Sequence, residues 1–216
     1  MKISMLCTDP NHPVMFLLRA WQAEMTAEGH EVDLLTDKRE LRGGDILFLV
    51  SCSQLIRPAE RALFKATLVL HASDLPRGRG WSPHVWAVVG GASTITLCLL
   101  EASDPVDSGD VWLRAQFTLE GHELLPEINA KLFACELKLM TEAVNRFAEI
   151  RPVPQAGDAG PYLRKRTPAD SQLDPQRTLA EQFDLLRVVD NARYPGYFDH
   201  RGHRYLLKIE KADHGQ

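Results

Sequence analysis

His71-Ala72-Ser73-Asp74-Leu75-Pro76-Arg77-Gly78-Arg79-Gly80-Trp81-Ser82-Pro83 is the stretch around which this chain is organised. It follows Ala66-Thr67-Leu68-Val69-Leu70, an apolar run that reads as a buried strand. A histidine and a serine therefore stand where a strand ends, and a basic, glycine-rich turn follows. After a second apolar run comes Val106-Asp107-Ser108-Gly109-Asp110. A His at a strand end and an Asp in a later loop are placed to meet at one edge of an open sheet, where α/β proteins build their sites.

Outward from that stretch, strands alternate with helices. Lys2 to Cys7 reads as a first strand, and Thr8 to Pro13 as a turn. Val14, Leu17, Leu18, Trp21 and Met25 recur at helical spacing, and Gly29 stops that helix. Glu31 to Leu35 and Asp45 to Cys52 are strands, the latter apolar throughout, as in a buried parallel sheet. Arg57 to Phe64 reads as a short helix, and Thr67 to Leu70 as the fourth strand. Pro83 to Val89 is a helix ended by Gly90-Gly91, and Ser93 to Leu100 and Val111 to Thr118 are strands. Glu127 to Ile150 is one long helix with Ile128, Leu132, Cys135, Leu139, Ala143, Phe147 and Ile150 on a stripe.

Past Ile150, Pro152, Pro154, Gly157, Gly160 and Pro161 mark a linker-like stretch. A short helix over Thr178 to Val189 and a hairpin over Arg201 to Glu210 follow. The expected architecture is α/β: a Rossmann-like, mostly parallel twisted sheet with helices on both faces, plus a short C-terminal helix and hairpin extension. Residues 1–150 are read as the catalytic domain and 151–216 as an extension packed on it.

The 216 residues suit one domain of ordinary size, with 44% apolar and 25% charged content. A net charge of −4 argues against a general nucleic-acid or anionic-membrane binder. Cys7, Cys52, Cys98 and Cys135 are widely spaced with no C-x-x-C pair, so free thiols in a reducing compartment are expected and a metal site is not. No signal peptide or bilayer-spanning run is read, and the expected location is cytoplasmic.

The two quoted segments resemble the signature of the folate-dependent formyltransferases, whose shared core is that of methionyl-tRNA formyltransferase. That signature runs His-x-Ser-x-Leu-Pro, Arg-Gly, Pro, and later Asp-x-Gly-Asp. Its elements stand here at His71, Ser73, Leu75, Pro76, Arg79, Gly80, Pro83, Asp107, Gly109 and Asp110. The resemblance covers residues 45 to 112 well and the rest loosely. One position departs from it: the family usually carries Asn two residues before the His, and here that residue is Val69.

The resemblance implies a formyl transfer from 10-formyltetrahydrofolate to an amine. Such chemistry needs donors for the formyl oxygen as it becomes negative, and an acceptor for the amine proton. His71 is implied as donor and base, with Asp107 as its partner, holding the tautomer and accepting a proton. Ser73 has two readings, a donor to the same oxygen or a cap of the turn. Ser51, Cys52, Ser53 and Gln54, with Ala102, Asp104 and Val106, occupy the two loops that grip the pterin in resembling proteins, chiefly through backbone groups. Trp86 lies on a helix, where such a residue is more often core. Arg77, Arg79 and Trp81 stand at the mouth. Arg164, Lys165 and Arg166 form a basic run, commonly a solvated face, that also suits phosphate pairing. Asn191, Arg193, Tyr194, Pro195 and Gly196 resemble a turn close to the sugar in sugar formyltransferases.

Three branches of the family compete. Methionyl-tRNA formyltransferases continue into a C-terminal barrel, and this chain is read as ending before one. Glycinamide ribonucleotide formyltransferases keep the Asn and lack a segment like Tyr162 to Asp174. The sugar N-formyltransferases fit best, above all those of bacterial amino-sugar pathways of the pseudaminic-acid type. The expected partner is a small-molecule nucleotide sugar, a UDP- or dTDP-linked 4-amino-4,6-dideoxy sugar, with no nucleic acid and no membrane. The Glu127 to Ile150 helix and the tail are candidate homodimer surfaces. The alternatives are a non-catalytic folate or nucleotide-sugar binder and a formyl-folate hydrolase.

Overall fold

The computed structural model describes residues 1–212. Its strands are β1 (Lys2–Leu6), β2 (Glu31–Leu35), β3 (Gly44–Leu49), β4 (Phe64–His71), β5 (Thr94–Glu101), β6 (Val111–Thr118), β7 (Gly196–His200) and β8 (His203–Leu207). The helices are α1 (Met15–Ala27), α2 (Pro58–Arg61), α3 (Pro83–Val89), α4 (Leu125–Asn145) and α5 (Phe183–Leu186). A six-stranded sheet has the order β2-β1-β3-β4-β5-β6. The first four strands pair in parallel, and β5 and β6 run antiparallel to their neighbours. β7 and β8 form a separate hairpin.

Alternation along the strands divides the core. Ile3, Met5, Phe48 and Leu68 pack with Leu18 and Trp21 of α1 and Leu139 and Met140 of α4. The intervening Leu6, Leu47 and Leu49 pack on the other face with Leu41, Ile56 and Phe64. Both faces of β1 and β3 are thus covered, which is why Ile3 to Leu6, Ser4 apart, and Ile46 to Leu49 are apolar. Prolines open α2, α3 and α4 in their first turns, where a missing N–H costs nothing.

Five expected elements differ in extent. The Arg57 to Phe64 helix stops at Arg61, because Phe64 already pairs with Gly44 and buries its ring beside Leu47. β4 therefore begins earlier than its apolar run suggests. The long helix ends at Asn145, and a further turn, Ile150 N to Arg146 O, still brings Ile150 into the core. In the tail, a 3₁₀ turn at Ala180–Gln182 and the short α5 replace a helix over Thr178 to Val189. There the Gln182 amide bonds back to the carbonyls of Asp174, Arg177 and Thr178. The hairpin begins at Gly196, and its two-residue turn is Arg201-Gly202, both at positive φ, as a tight hairpin demands.

No described helix is long and apolar enough to cross a membrane. All four cysteines are free, Cys7, Cys98 and Cys135 buried and Cys52 half-buried.

Candidate active site

β4 carries its apolar run straight to His71, which ends the strand beside β5 at Cys98. The ring is buried and lies between two partners. Nε2 is 2.9 Å from the Gly78 carbonyl, and Nδ1 is 3.6 Å from Asp107 Oδ1. A carbonyl only accepts, so Nε2 carries the hydrogen of that bond. The two side chains are 7% and 6% exposed, so the pair is nearly dry.

Asp107 arrives from the β5–β6 loop with φ +62, a conformation that costs a non-glycine residue about 1–2 kcal/mol. Its Oδ2 accepts from the Gly80 N–H at 3.0 Å. Two glycines of the signature have steric reasons. A Cβ on Gly80 would run into the Leu163 backbone, and one on Gly109 into the Glu101 carbonyl. The Gly-rich turn and the Asp107 loop thus press on neighbouring backbones, which seats the pair.

Ser73 bonds through its N–H to the His71 carbonyl, and its carbonyl accepts from the Cys98 thiol. Its hydroxyl is buried and has no partner. Thr67 Oγ1 on β4 is likewise buried without a partner. Val69, on the same face as His71 two residues earlier, packs with Leu49, Ile56, Cys52 and Ala102. Cys52 and Ala102, one from each loop expected to flank a pterin, pack on the same apolar cluster as Val69. In those loops Ser51 takes a positive φ, Ser53 Oγ bonds to Thr8 Oγ1 and Gln54 accepts from the Lys38 N–H. Asp104 is held by the Arg61 guanidinium at 2.5 Å, and Val106 is exposed. Burial pushes the Cys52 thiol up.

At the mouth, Arg77 is exposed and Arg79 half-buried with its Nε unpartnered. Trp81 is 39% exposed, with Lys165 Nζ 5.1 Å above its ring. Trp86 donates its indole N–H to the Arg164 carbonyl, and the Arg164 and Arg166 guanidiniums lie over its ring at 5.1 and 6.0 Å. Arg164 is ion-paired to Asp170, and Arg166 donates to the carbonyls of Asp170 and Val188. Of the basic run, Lys165 has no acid or carbonyl partner for its ammonium among the described residues, and that ammonium lies over the Trp81 ring. A cavity of about 350 Å³ lies beside the turn, lined by Ser73, Arg77, Gly78, Trp86, Thr96 and Leu163. That size lies within the range of small-molecule sites. Farther out, Arg193 pairs with Asp9 at 3.3 Å, and Asn191 ties to Ile209.

Two residues of this region have no counterpart in the sequence reading. Gln155 donates from Nε2 to the carbonyls of both Asp107 and Gly109. It lies in the proline-marked stretch, where no periodicity singles it out. His84 follows Pro83 at the start of α3. Burial, then the charges of His71, His12 and Arg166, push its pKa down to about 4. Its adjacency to the signature was the available signal.

No protein-family model matches the sequence. Over 209 residues the chain is 27% identical to a methionyl-tRNA formyltransferase from Ruegeria pomeroyi, covering 96% of this chain and 64% of that protein. The chain spans between about half and two thirds of the length of the first such relatives. In fold it is similar to a methionyl-tRNA formyltransferase from Clostridium thermocellum, with a TM-score of 0.83 at 19% identity over 100% of this chain and 95% of that one. HypX from Aquifex aeolicus, solved in complex with tetrahydrofolic acid, gives 0.80 at 22% identity, covering 97% of this chain and 37% of HypX. A 4-N formyltransferase from Francisella tularensis gives 0.71 at 17% identity, covering 98% of each chain.

Proposed function

We propose that this chain, a member of the formyltransferase family by sequence and fold, moves a formyl group from 10-formyltetrahydrofolate to the amine of a nucleotide-linked amino sugar. The observation that carries the reading is the buried His71–Asp107 pair beneath a turn whose Gly78 carbonyl occupies the imidazole N–H.

The folate supplies the one-carbon group. The chain's own residues have three tasks. His71 Nε2–H, released from Gly78, donates to the formyl oxygen as that oxygen gains negative charge. The Ser73 hydroxyl, unpartnered in its buried place, is the second donor and stands in for the carboxamide that Val69 lacks. Asp107 takes the proton that the attacking amine must lose, and His71 relays it to the folate nitrogen as its bond to the formyl carbon breaks. The apolar floor at Val69, Cys52 and Ala102 supports the pterin, with Ser51, Ser53, Gln54, Asp104 and Val106 at its edges.

The acceptor class rests on three supports. The fold is similar to a 4-N formyltransferase. Trp81 offers a half-exposed ring, and Lys165 and Arg77 offer cations at the mouth for a base and a diphosphate. In this reading residues 1–150 carry the chemistry and the segment from 151 onward packs against them. A UDP- or dTDP-linked 4-amino-4,6-dideoxy sugar is the expected acceptor.

A second reading, methionyl-tRNA as acceptor, is favoured by the names of the sequence relatives. The net charge of −4 opposes it, because RNA binding draws on clustered cations. The two readings separate in one assay with purified protein, 10-formyltetrahydrofolate and either amino-sugar nucleotides or methionyl-tRNA. A formyl mass gain on the sugar alone supports the first, and formylmethionyl-tRNA alone replaces it with the second.

A further inference from the structure

The segment after the long helix passes directly against Asp107. Val153 pairs with Val111 through backbone bonds of 2.8 and 2.9 Å. Next, the Gln155 carboxamide donates to the Asp107 carbonyl at 2.9 Å and to the Gly109 carbonyl at 2.8 Å. Farther on, Leu163 N–H donates to the Arg79 carbonyl at 2.7 Å, and its own carbonyl accepts from Trp81 N–H at 3.0 Å. Gly80, between those residues, donates to the Asp107 carboxylate.

These contacts close a ring. Gln155 holds the Asp107 backbone, Gly80 holds its carboxylate, and Leu163 holds Gly80 from the same segment as Gln155. An amide NH₂ has two hydrogens, and here each goes to one carbonyl. The two carbonyls flank Ser108, so Gln155 fixes the loop on both sides of its tip. Asp107 needs that support, since its positive φ persists only where surroundings impose it.

We propose that Gln155 is a positioning residue of the His71–Asp107 pair, acting through the Asp107 backbone from outside the signature. The proposal rests on the reading of that pair as catalytic. Gln155 touches no reacting atom in this account. It sets where the carboxylate stands relative to the imidazole, and small displacements of such groups carry large rate effects.

Gln155→Met keeps the length of the side chain and removes both donors. The first readout is independent of turnover: the His71 ring resonances by NMR, compared with Asp107→Asn and with Arg204→Ala on the exposed hairpin. Gln155→Met is expected to move the His71 signals in the same direction as Asp107→Asn, and Arg204→Ala to leave them in place. The second readout is kinetic: kcat is expected to fall about ten- to a hundredfold while both KM values stay within about twofold. Unmoved His71 signals, or a lower melting temperature with unchanged kcat, overturn the proposal. Moved signals in a protein that transfers no formyl group support the positioning role and contradict the transfer reading instead.

Discussion

Two buried acid–base pairs in this chain are separated by the same distance, 3.6 Å, and differ in everything around them. In the first, Arg187 faces Glu123. The Glu123 carboxylate also accepts from Lys131 at 2.6 Å and from the N–H groups of Glu120 and Gly121 at 3.0 Å each. Arg187 is held in turn by Asp184 at 2.8 Å. In the second, the Asp107 carboxylate accepts from the Gly80 N–H, and His71 donates to the Gly78 carbonyl. Close by, a serine hydroxyl is buried with no partner. The Glu123 carboxylate, well supplied with donors, fastens the tail to the core through Arg187, whose Nη1 makes no hydrogen bond, whereas the sparse pair keeps acceptor and donor capacity in reserve for a ligand. Distance alone does not tell the two pairs apart; the donors around each carboxylate do, three at Glu123 and one at Asp107.

The comparison breaks most clearly by substitution at the sparse pair. His71→Ala and Asp107→Asn are expected to lower formyl transfer about 10²- to 10⁴-fold while the melting temperature stays close to wild type. Asn tolerates the left-handed backbone at 107, which keeps that variant folded. Near wild-type turnover in both folded variants would remove the pair from the chemistry.

At the Glu123–Arg187 pair the prediction inverts. Glu123→Leu leaves Arg187 with only the part-exposed Asp184 and is expected to destabilise by up to about 3–5 kcal/mol, read by denaturant unfolding, with the folded fraction still active. Burial pushes the Glu123 carboxyl up, but Lys131 and the backbone donors outweigh it and hold the pKa down to about 2. Its stabilisation is therefore present above the ordinary pKa of 4.5 and is lost as pH falls from there toward about 2. In Glu123→Leu that part of the acid unfolding curve should be missing.

Ser73→Ala sharpens the contrast at a smaller scale. If the hydroxyl is the donor that replaces the missing carboxamide, its removal is expected to cost about 10²- to 10³-fold in kcat. An unchanged kcat would return Ser73 to the turn as a cap.

Glu136 acts in the opposite pH direction. This acid on α4 has one oxygen fully buried without a partner, and burial pushes its pKa up to about 8. The protonated form is favoured in the fold, so stability is full below about 4.5 and is lost as pH rises through about 8. Glu136→Gln should flatten the melting temperature between those values. A wild-type curve already flat over that range would contradict the assignment.

Much of this was legible before the fold was seen, for physical reasons. Ile46 to Leu49 of β3 and Leu68 to Leu70 of β4 are apolar because both sheet faces are covered. His71, Ser73, Gly80, Asp107 and Gly109 read out as a set because their partners lie in one turn and one loop, and the glycines answer to steric contacts. Gln155 was silent, since its bonds go to carbonyls far off in sequence and any residue type supplies a carbonyl. The tail was misjudged in extent because Gln182 and similar side chains bond to backbone and replace a regular helix. The basic run read as free charge, yet Arg164 and Arg166 are tied to Asp170 and stacked on Trp86, which only the fold brings near.

The central claim is that the sparse His71–Asp107 pair transfers a formyl group. Its most direct test incubates the purified chain with 10-formyltetrahydrofolate and UDP- and dTDP-linked 4-amino-4,6-dideoxy sugars, beside Asp107→Asn, and follows the sugar by mass spectrometry. A gain of one formyl group on a sugar is expected with the wild type and almost none with Asp107→Asn. A gain of equal rate in both proteins, or no gain on any amine acceptor although folate raises the melting temperature, would contradict it.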